Sequence, residues 1–248
     1  MTRINSNRQP NELKMVHNWL NIIQDYLLPP TCLLCGNKGF KSHDLCDICY
    51  QRLLRNKRSC YRCAEIFESN VSTPSLCGHC ISTPPAFDET YAPFVYQAEM
   101  RHLVTKLKFG GHTKNARLLG LLLAEHLKQT AQLPELIIPV PLYKKRYRER
   151  GFNQALEIAK TVGKSLNIPL DMTSCHRMHD TPHQIGLTAL QRRKNLEKAF
   201  TLIKPIKAQH VAILDDVMTT GATLNECAIA LKICGATDIR CLTLARGL

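Results

Sequence analysis

The spacing of apolar positions divides this 248-residue chain into three stretches. Near the start, Trp19, Leu20, Ile23, Leu27 and Leu28 recur at helical spacing and Pro29 and Pro30 follow, so residues 1–30 predict an amphipathic helix packed on the protein. Residues 31–85 are poor in large apolar side chains and cannot build much of a core. From residue 86 onward, strand-length apolar runs alternate with helical periods. FVY is followed by a helix from about Glu99 to Lys108, and then by a helix carrying Leu118, Leu119, Leu122, Leu123 and Leu127. LIIPV reads as a buried strand, Ala155 to Leu166 as a helix, VAIL as a strand, Leu224 to Ile233 as a helix and IRCLTLA as a closing strand. This alternation predicts an α/β domain over 86–248, with a mainly parallel sheet and helices on its faces. In such sheets ligands bind beyond the carboxyl ends of the strands.

No run reaches the roughly 18 apolar residues of a membrane span. The first thirty residues include Glu12 and Asp25 and lack a clean apolar segment with a small-residue cleavage site, so a cytoplasmic protein is expected. The formal net charge of +13 favours anionic partners, and the position of the basic residues decides which.

Residues 31–85 compensate for their missing core with cysteine. Four Cys-x2-Cys pairs stand there: Cys32/Cys35, Cys46/Cys49, Cys60/Cys63 and Cys77/Cys80. A pair on a tight turn aims two thiolates at one ion, and two such turns complete the tetrahedral set that suits zinc. The spacing predicts two structural zinc ions, with the metal supplying folding energy. Sequential and interleaved pairing of the turns both satisfy the spacing. Cys175, Cys227, Cys234 and Cys241 stand singly among apolar residues, where a thiol is a small hydrophobe.

The strand VAIL runs into DDVMTTGAT, residues 215–223. Backbone N–H groups of a small-residue turn that opens a helix can surround an anion, and the helix dipole favours the charge. Thr219, Thr220 and Thr223 add hydroxyl donors, while Gly221 and Ala222 leave room for close approach. Asp215 and Asp216, just upstream, suit sugar hydroxyls or a magnesium ion beside that phosphate. Together these features describe a ribose 5-phosphate binder. The stretch resembles the signature of the type I phosphoribosyltransferases. That resemblance implies that the acidic pair meets the ribose hydroxyls and the turn holds the 5-phosphate of phosphoribosyl pyrophosphate (PRPP), with magnesium.

A second strand end reads IIPVPLYKKRYRERGFNQA. Arg150, Gly151 and Asn153 are the candidates for a pyrophosphate loop, since a guanidinium presents a planar fork to phosphate oxygens. Lys144, Lys145, Arg146 and Arg148 are candidates for a longer polyanion, nucleic acid among them. The polar stretch SCHRMHDTPHQIGLTALQRRKNLEKAF reads as a solvated lid, from which Arg177, Gln184, Arg192 and Arg193 can close over a diphosphate. Its histidines 176, 179 and 183 read as bystanders. Lys106 and Lys108 belong either to the same charged face or to a solvated helix end.

Taken in order, the four cysteine knuckles, LKFGGHTKNARLLG, PVPLYKKRYRERGFNQA, TPHQIGLTALQRRKNLEKAF and ILDDVMTTGAT resemble the ComF family of bacterial proteins over residues 32–245. The resemblance implies a double zinc ribbon (31–85) joined to a phosphoribosyltransferase-like domain (86–248). It also implies PRPP binding and the handling of single-stranded DNA in natural transformation, with a DNA-uptake helicase as a candidate partner. Two other readings stand beside it: an active phosphoribosyltransferase of unidentified acceptor, and a zinc-ribbon adaptor with a vestigial pocket. No base-specific residue and no general base can be named from the sequence.

Overall fold

The computed structural model describes residues 30–40, 43–68, 74–110, 113–178 and 199–248. The predicted helix over 1–30 lies outside them, apart from Pro30. The chain divides into two compact units, one ending at Tyr50 and the other running from Gln51 to Leu248.

In the first unit the chain turns sharply around Cys32 and Cys35. The Cys32 amide donates to Asn37 O (2.7 Å) and the Gly36 amide to Cys32 O (2.9 Å), with Gly36 in the left-handed region at φ 79°. Helix α1 (Asp47–Gln51) then carries Cys49. The second unit opens with a knuckle of the same build. The Cys60 amide donates to Glu65 O (2.8 Å) and the Ala64 amide to Cys60 O (2.7 Å). Here the left-handed position is held by Ala64 at φ 56°, a backbone that costs a side-chain-bearing residue about 1–2 kcal/mol. Helix α2 (Gly78–Ser82) places Cys80 opposite.

The larger unit is built on β1 (Glu89–Tyr91), β2 (Phe94–Val95), β3 (Leu136–Pro139), β6 (His210–Met218) and β7 (Asp238–Arg246). All pair in parallel, in the order β1–β7–β6–β3, with β2 continuing along β7 beyond β1. The central strands are buried on both faces and so read as continuous apolar runs. Val211, Ala212, Ile213 and Leu214 are fully buried in β6, and Cys241, Leu242, Leu244 and Ala245 in β7. Parallel pairing requires long crossovers. Helices α3 (Ala98–Gly110), α4 (Thr113–Thr130), α5 (Lys144–Arg150), α6 (Gln154–Leu166) and α7 (Ala222–Ile233) supply them.

Helix α6 shows how a crossover positions the site. Ala155, Ile158, Ala159, Val162 and Leu166 form its buried face, and it packs on α4, β3 and β6. A Cβ built on Gly120 of α4 would stand 2.5 Å from Thr161 Cβ, so glycine is what lets the two helices approach. The helix ends at Asn167 in the left-handed region (φ 56°), before Pro169.

Parallel strands bring their carboxyl ends to one edge. Pro139, Met218 and Arg246 therefore open the segments where a ligand is expected. Two short strands, β4 (Cys175–Arg177) and β5 (Phe200–Leu202), pair antiparallel apart from the main sheet. They stand at the two ends of the stretch read as a polar lid, and its residues Gln184, Arg192 and Arg193, with His179 and His183, lie outside the described residues.

The boundaries differ from the sequence reading in two places that matter. β6 continues past VAIL to Met218, so both aspartates belong to the strand, because β7 still offers partners at Thr243, Ala245 and Arg246. The expected pyrophosphate loop is helical up to Arg150: KKRYRER consists mostly of good helix formers, and Gly151, left-handed at φ 79°, closes the turn by donating to Tyr147 O (2.8 Å).

Candidate functional site

The site begins at the end of β6. The Asp216 amide donates to Asp215 Oδ1 (2.8 Å) and the Val217 amide to Asp216 Oδ1 (3.0 Å), so each carboxylate is steadied by the following backbone N–H. Lys108, near the end of α3, places its Nζ 2.8 Å from Asp216 Oδ2, an ion pair rather than an aligned hydrogen bond. Burial works to lower the Lys108 ammonium, but Asp216 holds it above its ordinary value. Burial pushes the Asp215 carboxyl up and the Asp216 charge adds to it, to about 8. Lys108 thus neutralises Asp216, while Asp215 beside it has no cation of its own within ion-pair distance among the described residues.

After Met218 the chain turns through Thr219 and Thr220, both exposed, into Gly221. Gly221 caps α7 at φ 76°, a conformation that glycine adopts without strain. The Thr220 hydroxyl accepts from the Ala222 amide at 3.4 Å, and Thr223 stands in the first turn. A hollow of about 30 Å³ sits in this turn, lined by Asp215 and residues 217–224.

The aspartates and Thr219, Thr220 and Thr223 also border a cavity of about 800 Å³. Arg146, Arg150, Asn153, Arg177 and Lys108 line it too, as do Glu65 and Arg246. Arg146 and Arg150 are one helical turn apart and half-buried, whereas Lys144, Lys145 and Arg148 are exposed. Helix α5 therefore splits the basic cluster between a cavity side and a solvent side. The Arg150 guanidinium lies 5.9 Å from the Phe109 ring centre, and burial lowers its pKa. Arg177, ending β4, stacks 5.4 Å from the Phe200 ring centre. Asn153 touches the cavity, but its amide serves the backbone: Nδ2 donates to Val140 O (2.9 Å) and Oδ1 accepts from Ala155 N (3.0 Å) and Leu156 N (3.4 Å). It caps α6 and ties it to the end of β3. His176 faces elsewhere, bonded to Thr173 O at 2.9 Å.

Lys108, Glu65, Gln154 and Arg246 also border the cavity. Lys108 was one of two choices at a helix end. Glu65, Gln154 and Arg246 carried no local signal, since each is defined by where distant chain segments meet. Gln154 is buried, and its Oε1 has no hydrogen-bond partner among the described residues.

The cysteines pair sequentially. The sulfurs of Cys32, Cys35, Cys46 and Cys49 lie within 4.8 Å of one another, as do those of Cys60, Cys63, Cys77 and Cys80. Cys35 and Cys46, and likewise Cys63 and Cys77, stand 3.6 Å apart. Four thiolates at about 2.3 Å from one zinc would be about 3.8 Å apart, so the residues fit that ion. Burial raises the Cys32 thiol, yet backbone amides bring it down to about 6, while burial pushes Cys49 up and Cys63 up to about 12. Four such thiols ionise together only around a cation.

Residues 23–81 match the double zinc ribbon domain and residues 153–248 the phosphoribosyl transferase domain. Competence protein F of Haemophilus influenzae is 34% identical over 224 residues, covering 87% of this chain and 96% of that protein. The chain belongs to the ComF family. Other relatives include the DNA utilization protein YhgH of Escherichia coli K12, 32% identical over 89% of this chain and 99% of that protein. ComFC of Streptococcus pneumoniae is 26% identical over 62% of this chain and 67% of that protein. A purine phosphoribosyltransferase from Pyrococcus horikoshii superposes at a TM-score of 0.32 and 22% identity, covering 53% of this chain and 73% of that one. Within the family frame the chain carries structural zinc ribbons and a parallel phosphoribosyltransferase-type sheet. Among the described residues, no helix is long and apolar enough to cross a membrane.

Proposed function

We propose that this cavity binds magnesium and PRPP, and that the protein uses it in handling single-stranded DNA during competence; relatives named for competence and for DNA utilization support the second part. One observation carries the reading: the acidic pair of β6, the threonine turn into α7 and the guanidinium groups of Arg146, Arg150 and Arg177 line a single cavity. The turn Thr219–Thr223 would take the 5-phosphate on backbone amides and hydroxyls. Asp215 and Asp216 would face the ribose diol and the magnesium ion, whose bound charge supplies what two carboxylates with one ammonium lack. Arg146, Arg150 and Arg177 would meet the diphosphate, joined by Gln184, Arg192 and Arg193.

The exposed side of α5, with Lys144, Lys145 and Arg148, supports a polyanion contact outside the cavity. A DNA-uptake helicase remains the proposed partner, and a reducing cytoplasm the proposed compartment, because eight thiolates must stay available to metal. Titration calorimetry with magnesium and PRPP tests the pocket. Binding is expected with wild type and lost in Asp215→Asn with Asp216→Asn, and no heat with folded wild type defeats the reading. Neutralising Lys144, Lys145 and Arg148 should flatten the salt dependence of oligonucleotide binding by about 0.7 log unit per lost phosphate contact. Release of pyrophosphate from magnesium PRPP with a nucleobase would instead favour an active transferase.

A further inference from the structure

The second cysteine knuckle does more than close on a metal. Glu65 is its last residue: its carbonyl accepts from the Cys60 amide at 2.8 Å and so closes the turn that carries Cys60 and Cys63. Its carboxylate leaves the knuckle and pairs through Oε2 with Nη2 of Arg246 at the end of β7. Arg246 is 92% buried on its side chain, since 8% is exposed. Its Nη1 donates to Met218 O (3.3 Å) and Gly247 O (3.1 Å). Met218 is the residue that opens the turn Thr219–Gly221. The Gly247 amide donates to the same Met218 oxygen at 2.8 Å.

A chain of contacts therefore runs from the Cys60 amide through Glu65 and Arg246 to the base of the threonine turn. The knuckle is also anchored to the sheet, independently of Arg246: the Thr90 hydroxyl donates to Arg62 O (2.6 Å), and the Thr90 amide to Tyr61 O (3.0 Å). Arg246 lines the cavity, and its buried Nε has no hydrogen-bond partner among the described residues.

We infer that Glu65 is a positioning residue through which the second four-cysteine site holds Arg246 and the threonine turn in their ligand-binding arrangement. The site then acts as one wall of the pocket as well as a fold staple. The first knuckle supplies an internal contrast. Asn37 occupies the place of Glu65 there, accepting from the Cys32 amide at 2.7 Å, but is neutral. Glu65 is half exposed, but the guanidinium it meets is buried, so removing the carboxylate leaves that buried charge without its partner. Without Glu65, Arg246 keeps only carbonyl acceptors and can swing, and the turn it braces loosens with it. By linkage, an anion that fastens the turn must also tighten metal binding at the second site.

The inference rests on the phosphate-binding reading for its affinity effect, but its mechanical part can be measured without any ligand. Hydrogen exchange of the unliganded, zinc-loaded protein is the primary test. Glu65→Ala should speed exchange in peptides covering 216–224, Glu65→Gln should fall between it and wild type, and Asn37→Ala should match wild type. Zinc content, read by a chromophoric chelator, should stay at the wild-type value in all three, which separates loss of positioning from loss of the metal site. Calorimetry then reads the consequence. Glu65→Ala should bind magnesium PRPP about tenfold more weakly. Unchanged exchange at 216–224 in Glu65→Ala overturns the inference whatever the pocket binds. Faster exchange with no PRPP binding by wild type upholds the mechanical link and defeats only the ligand assignment. Unaltered PRPP affinity despite faster exchange removes Glu65 from the pocket's function and overturns the inference as well.

Discussion

Asp215 is half-buried beside the buried carboxylate of Asp216, and that sets the pH behaviour of the empty pocket. Burial and the Asp216 charge hold its carboxyl at about 8, against 3.8 in an unfolded chain. Between those values the folded protein keeps a proton that the unfolded chain has released, so this group's contribution to stability falls as pH rises through the window. Asp215→Asn removes the dependence. The unliganded variant should melt above wild type at about pH 9, with the gap narrowing toward pH 5, as followed by thermal denaturation in matched buffers. A gap that grows on acidification would contradict the assignment. Asp215 itself was legible in the sequence because its neighbours state its role within nine residues, 215–223. Lys108 was not, because its partner Asp216 stands on a strand more than a hundred residues away and an ion pair has no period. Glu65 and Arg246 lie 181 residues apart, and neither stands in a pattern that names the other.

At the scale of elements, two glycines carry different burdens and separate stability from function. Gly120 is there for packing, since its Cβ would meet Thr161 Cβ at 2.5 Å and Ile158 O at 3.0 Å, forcing α4 from α6. Gly221 is there for backbone conformation. Its Cβ would find only ordinary contacts with Met218 and Phe87 at 3.7–3.8 Å, but φ is 76°. Gly120→Ala should cost about 1–3 kcal/mol in urea unfolding, the range for an overpacked interface. Gly221→Ala should cost about 1–2 kcal/mol and also weaken PRPP, because it distorts the turn that would hold the phosphate. Equal losses of affinity in both variants would argue against a special role for the turn. Periodicity found these helices and strands because their buried faces are continuous, as in Ile158, Ala159 and Val162. It stopped short where polar residues continue an element: Asp215 to Met218 in β6, and the charged helix α5. In β6 pairing with β7 extends the strand, and in α5, which buries no residue, helix propensity does.

For the whole molecule, the balance between metal and apolar core decides what survives chelation. The sheet unit keeps its own core, with Ile137, Ile213, Leu214 and Leu242 at most 1% exposed. The cysteine segments have little comparable: Leu45 and Leu53 are buried, but Ile48, Leu54 and Ile81 are 47–68% exposed. Their order must come from the two four-cysteine sites, and zinc binding there is folding free energy. With both sites filled by thiolates, the formal charge falls from +13 to about +9, so the protein stays basic in its metal-bound form. Excess chelator should therefore release two zinc equivalents per chain. Trypsin should then cut first at the basic residues between the cysteine pairs, Arg52, Arg55, Lys57 and Arg58, while a fragment spanning β3 to β7 persists on the gel. Release should steepen below neutral pH, since protons compete for thiolates such as Cys63, which burial holds at about 12 without metal. Should the metal-free chain resist trypsin at these positions as well as the loaded one does, apolar packing, and not zinc, would be what orders the cysteine segments.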